Sequence, residues 1–171
     1  YWLQWVEARD RLTFTGNWSE DVLTVAKAQL GYRESTRNVI LVEDALKGYT
    51  RFGDWYGLPY GDWCAMYVSF CLDFAQVEGV PLDCAVNPWI DSLKNAEMYG
   101  EAGIYIPRAG DIIFFDYEQT GEPGIPVIAD HVGLVEDVRE DGTVVTIEGN
   151  NGKRVTRAEY EPDDPRMMGY S

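Results

Sequence analysis

Near residue 104 the apolar residues of this chain stop recurring at helical spacing and begin to fall in short, strand-like runs. Helix-patterned sequence followed by strand-patterned sequence specifies an α+β fold, with N-terminal helices packed on a C-terminal antiparallel sheet. In the first half, Trp2, Trp5 and Val6 predict a short amphipathic helix. Ser19 predicts an N-cap, with Glu20 and Asp21 at the positive end of the helix dipole. Val22, Leu23, Val25, Ala26 and Leu30 supply that helix's apolar face, and Gly31 its stop. A further helix is predicted over 39–46, and an irregular Gly-, Asp- and Tyr-rich loop over 48–62. The segment 63–75 is apolar nearly all round and predicts a buried helix; Pro88 predicts the first position of another. In the second half, strands are predicted over 111–115, 131–138, 144–150, 155–160 and 167–170, in a sheet of five to six strands.

At 171 residues the chain fits one core-bearing domain. No apolar run reaches the ~18 residues of a membrane span. The chain opens on Tyr1 with no basic-then-apolar leader, and reads as a mature or excised piece of a secreted protein. A net charge of −15 excludes nucleic acid and anionic membrane surfaces as partners, since both require basic patches. A monomer is expected.

The odd number of cysteines, Cys64, Cys71 and Cys84, leaves at least one unpaired within the chain. Cys64 and Cys71 stand ~10 Å apart along one predicted helix, too far for a bridge. A Cys71–Cys84 disulfide and buried free thiols both remain open. Zinc is disfavoured, because the cysteine spacings do not match the short paired spacing of zinc knuckles.

Cys64 stands where a Gly-rich loop turns into the buried helix. A helix N-terminus favours a thiolate, and its first-turn N–H groups are free to bind an oxyanion. His131 is the only histidine, so any cysteine–histidine chemistry has its base already identified. Alternation along the strands puts His131, Gly133 and Val135 on one face. A turn at Asp141-Gly142 adds Thr146, Glu148 and Asn150 to that face. In this register Glu148 opposes Val135, ~13 Å along the strand from His131, and Asn150 is the nearer neighbour. Direct Glu148–His131 contact then needs a bulge, a shifted turn or strong twist. Gly133 and Gly149 are expected to leave room for a substrate backbone. Tyr60, Trp63 and Trp89 are candidate substrate-groove aromatics. The loop 117–126 reads equally as a gate or as a plain connection.

Four segments then resemble the CHAP domains of the papain-like NlpC/P60 superfamily. They are Trp63-Cys64-Ala65-Met66-Tyr67-Val68-Ser69-Phe70-Cys71, Pro107-Arg108-Ala109-Gly110-Asp111-Ile112-Ile113-Phe114-Phe115, Asp130-His131-Val132-Gly133-Leu134-Val135 and Ile147-Glu148-Gly149-Asn150. Their common order makes the resemblance specific, and it covers about 19–171, leaving 1–18 as a helical extension or linker. The resemblance implies a catalytic set of Cys64, His131, Glu148 and Asn150, with Glu148 orienting the histidine. It also implies a secreted or wall-associated hydrolase that cuts an amide bond of bacterial peptidoglycan, either at the sugar–peptide junction or within the peptides. On so acidic a chain, recognition of an anionic wall must be local. The chain departs from the family in two respects: Trp63 stands where many phage-lysin members carry Gln, and Asp54 and Asp62 are isolated rather than joined in a D-x-D calcium loop. No cofactor is expected. A non-catalytic wall-binding module, and a toxin or processing protease acting on proteins, are the alternative readings.

Overall fold

The computed structural model describes residues 3–119 and 127–171. Trp2 of the first predicted helix, and most of the 117–126 loop, lie outside the described residues.

Helix α1 spans Leu3–Arg9, and its Trp5 is buried against Phe70 and Phe74. Helix α2, Trp18–Ala28, is capped by Asn17 rather than Ser19: the Asn17 carboxamide accepts the Ser19 and Glu20 N–H groups. The predicted helix over 39–46 is instead a hairpin of β1 (Val39–Val42) and β2 (Ala45–Gly48). The β-branched Val39, Ile40 and Val42 favour strand. Glu43 and Asp44 both take left-handed backbone at φ 47° and 65°, the geometry of a tight hairpin turn. The predicted loop 48–62 contains a short helix, α3 (Arg51–Tyr56), capped by the Thr50 hydroxyl on Gly53 N–H.

Helix α4, Cys64–Phe74, is buried at nine positions, as its all-round apolar pattern predicts. Helix α5, Val86–Asn95, starts two residues before Pro88. Pro88 therefore sits within the first turn, where a missing N–H costs no helical hydrogen bond. No helix among the described residues is long and apolar enough to cross a membrane.

Strands β3 (Gly100–Glu101), β4 (Ile112–Phe115), β5 (His131–Val138), β6 (Val144–Glu148), β7 (Thr156–Tyr160) and β8 (Met167–Tyr170) form one antiparallel sheet in the order β3-β8-β4-β5-β6-β7. One face, with Ile112, Phe114, Val132, Leu134 and Ile147, joins the helices in the main core. The other face carries a smaller core of Ile113, Phe115, Val135, Val144, Tyr160, Met167 and Tyr170. The fold is α+β, as the change of pattern predicts.

Candidate active site

Two elements meet at Cys64 and His131. Cys64 is the first residue of α4, and Trp63 ends the preceding loop without a side-chain hydrogen bond to the helix. The first-turn N–H groups thus have no side-chain cap. Tyr67, one turn on, fixes the helix in place: its hydroxyl donates to Ala26 O at 3.2 Å. Its ring also presses on the backbone of Gly149, where an added Cβ would lie 2.5 Å from Tyr67 Cβ. The start of α4 is thereby held against the end of β6. Gly149 makes room for this ring rather than for a substrate.

His131 opens β5 opposite Phe115, and its ring packs beside those of Phe115 and Tyr117. Glu148 closes β6 and is fully buried. A bulge brings them together. Val138 pairs with Val144 and Asp137 with Val145, then Glu136 is skipped, and Val135 pairs with Thr146 and Leu134 with Ile147. Continued one step, the register sets Glu148 opposite Gly133, two residues closer to His131 than the simple turn predicts. A Cβ on Gly133 would fall 2.7 Å from Glu148 Cγ, so glycine is what lets the carboxylate cross. His131 Nε2 lies 2.9 Å from Glu148 Oε2. The imidazole also interacts with the Cys64 thiol, and with Nε2 engaged by Glu148 the nitrogen left for the sulfur is Nδ1.

The carboxylate is heavily solvated by protein donors. Oε1 accepts Thr146 Oγ1–H and Tyr160 O–H, each at 2.7 Å. Oε2 accepts Asn151 Nδ2–H at 2.9 Å and Tyr117 O–H at 3.1 Å in addition to the imidazole. The two tyrosine hydroxyls also touch each other. Burial works against a charged Glu148, but the bonds to His131, Tyr160 and Thr146 outweigh it and hold the carboxyl below its usual range. Burial likewise works against a charged imidazole. Interactions with Cys64 and Glu148, reinforced by the Glu148 charge, overcome it and push His131 up to about 9. Burial and the Glu148 charge push both tyrosines up, so they remain neutral donors. At neutral pH the arrangement is imidazolium beside carboxylate.

The remaining sequence candidates separate. Asn150, at φ 55°, shares the rim of an open cavity of about 420 Å³ with His131, Tyr117 and Gly152. It is Asn151, not Asn150, that bonds Glu148. Trp63 is 1% exposed, stacks on Phe52 and donates its indole N–H to Glu34 at 3.0 Å. Trp89 is fully buried, edge-on to Phe114. Neither indole faces a groove; both belong to the core. Tyr60 bonds Asn38 and lines a separate depression with Asn38, Tyr49 and Asp54. Asp54 accepts the Tyr49 hydroxyl and Asp62 pairs with Lys47. Among the described residues no group of three or more His, Cys, Asp or Glu side chains is placed to hold a metal ion. All three cysteines are free; Cys71 and Cys84 are not bridged.

Sequence reading missed Tyr117, Tyr160 and Asn151. Tyr160 was within reach of the parity argument: Thr156, Ala158 and Tyr160 pair with Glu148, Thr146 and Val144, so they share the His131 face.

A cysteine-bearing helix end set against a histidine-bearing antiparallel sheet is the arrangement of the papain-like α+β class. Within that class the chain belongs to the CHAP domain family of hydrolases, whose family model matches residues 53–150, more than half of the chain. A similar solved structure is an N-acetylmuramoyl-L-alanine amidase from Staphylococcus aureus, 18% identical with a TM-score of 0.49. The match covers 75% of this chain and 35% of that one. No curated protein sequence matches.

Proposed function

We propose that the protein is a secreted or wall-associated cysteine amidohydrolase that cuts an amide bond of bacterial peptidoglycan, as a sugar–peptide amidase or as an endopeptidase. The observation that carries this reading is the buried grouping of Glu148, His131 and Cys64, with His131 Nε2 2.9 Å from Glu148 Oε2 and the imidazole also under the influence of the Cys64 thiol. Membership of the CHAP family and the four sequence motifs support the substrate class.

In this reading the Cys64 thiolate attacks the amide carbonyl carbon. The uncapped first-turn N–H groups of α4, Cys64 N–H among them, stabilise the oxyanion. The C–N bond breaks as His131 hands its Nδ1 proton to the departing nitrogen. Water, deprotonated by His131, then attacks the thioester, releasing a carboxylic acid and restoring the thiol. Glu148 acts through His131: it holds the ring orientation and stabilises the imidazolium. Five donors fix the carboxylate in turn.

The test is digestion of purified peptidoglycan by wild-type and Cys64→Ala protein, with soluble fragments identified by mass spectrometry. Cys64-dependent fragments are expected. Free stem peptides identify an amidase; shortened or uncrosslinked stems identify an endopeptidase. Absence of Cys64-dependent fragments from several wall types overturns the reading.

A further inference from the structure

The two tyrosines that donate to Glu148 share a further neighbour. The guanidinium carbon of Arg166 stands over both rings, 5.5 Å from the Tyr117 centroid and 5.1 Å from that of Tyr160. Both distances lie within the range of a cation–π contact. Arg166 is itself fixed. Its Nε and Nη2 donate to the two carboxylate oxygens of Asp164 at 3.0 and 2.7 Å, and its backbone N–H donates to Asp164 Oδ1 at 3.0 Å. Its carbonyl accepts Asp116 N–H at 2.8 Å, which ties the turn before β8 to the end of β4. A forked arginine–carboxylate pair sets the plane of the guanidinium, which the point charge of a lysine would not.

It is the cation of this pair that meets the rings. A positive charge over a phenol draws electron density from it and makes the hydroxyl a stronger donor. Burial and the Glu148 charge push Tyr117 up, and the Arg166 charge opposes them. The ionisable groups around the imidazole and the tyrosines are Cys64 on α4, Glu148 on β6, Asp130 and Glu118 on the cavity rim, and Arg166 with Asp164 before β8. Asp130 is engaged by the Tyr117 and Glu118 N–H groups at 2.9 and 3.0 Å. Of these groups Arg166 alone is permanently positive.

We propose that Arg166 is a positioning residue for the cysteine–histidine reaction: through the Tyr117 and Tyr160 hydroxyls it fixes the Glu148 carboxylate and limits its basicity, and so sets how tightly Glu148 holds the His131 imidazolium. The proposal rests on the hydrolase reading above. Arg166 reaches the imidazole through the tyrosines and the carboxylate. A carboxylate with weaker donors is more basic and holds the imidazolium proton more tightly. That proton must leave for the departing nitrogen, so a carboxylate restrained by its donors suits the reaction better than a bare one.

Titration of the His131 imidazole, read from its ring-carbon shifts in wild type, Arg166→Met and Asp164→Asn, tests this without any need for turnover. Arg166→Met keeps the length of the side chain and removes its charge; the His131 midpoint is expected to rise by about half a pH unit. Asp164→Asn leaves the cation over the rings unneutralised, and the midpoint is expected to fall by a similar amount. Both variants break the same ion pair, so a purely structural brace would displace both midpoints in the same direction. On walls, Arg166→Met should move the alkaline limb of the pH–rate profile upward with the midpoint and leave KM unchanged. Opposite displacements in this order support the proposal. Any other pattern, such as displacements of one sign or a midpoint that either variant leaves in place, overturns it. A wild-type protein that cuts no wall fails the hydrolase reading; the titration still decides whether Arg166 governs the imidazole.

Discussion

Cys64 and Cys71 share α4, seven residues apart, and differ in what sets thiol chemistry. Cys64 is 8% exposed, begins the helix and meets an imidazole. Cys71 is fully buried two turns later beside Tyr67, and burial pushes its thiol up, out of the reactive range. The same apolar helix thus provides a rigid mount at one end and ordinary packing in its middle. In the proposed mechanism reactivity comes from the position at the helix end and from the groups of β5 and β6, and composition alone does not distinguish the two cysteines.

The contrast can be broken in several ways. Cys64→Ala should cost activity by ~10⁴-fold or more, whereas Cys71→Ala should keep it, as read by fragment release from walls. Comparable losses in both would erase the distinction. His131→Ala should match Cys64→Ala, since no second histidine can substitute. Glu148→Gln should lower activity about 100-fold, because it keeps the shape and removes the charge that supports the imidazolium. It should also move the alkaline limb of the pH–rate profile, expected near 9 in the wild type, towards neutrality. An unmoved limb would show that Glu148 does not set the imidazole's charge. Tyr160→Phe removes one donor to Oε1, leaves a more basic carboxylate beside the imidazolium, and should shift that limb the opposite way, upward, by a smaller amount. The smallest effect belongs to Cys71→Ala, which should lose ~1 kcal/mol in urea unfolding, the scale of a small core truncation.

Stability should follow the two charged partners with opposite signs. The folded-state value of His131 is raised from 6.5 to about 9, so its contribution is complete below about 6.5 and is lost as pH rises through about 9. The folded-state value of Glu148 is lowered, so its contribution is present above the ordinary carboxylate range and is lost as pH falls through the lowered value. Thermal denaturation of wild type and Glu148→Gln across pH measures both.

Much of this was legible in the sequence, because periodicity reports which face a residue takes. Strand parity placed Thr146 and Glu148 with His131, and the structure keeps them there. The register was not legible. The sequence suggested a two-residue turn at Asp141-Gly142. The chain instead closes the hairpin between Arg139 and Thr143 and then skips Glu136. The two shifts together restore parity while moving Glu148 two residues towards His131. A bulge has no composition signature at Glu136, so only the demand for contact hinted at it. The hairpin at 39–48 was misread because a four-residue apolar run fits helix and strand equally. Trp63 was misread because adjacency to Cys64 in the chain was taken for adjacency to a groove, whereas its side chain turns inward to Glu34.

The solitary imidazole makes this molecule a self-reporting one. Proton magnetic resonance of the whole protein contains the ring signals of one histidine, so no assignment is needed to follow the charge between Cys64 and Glu148. Any occupant of the groove, or any alkylation of the thiol, registers as a displacement of that single titration curve. The protein thus carries a built-in pH electrode at the point where its chemistry is expected to occur.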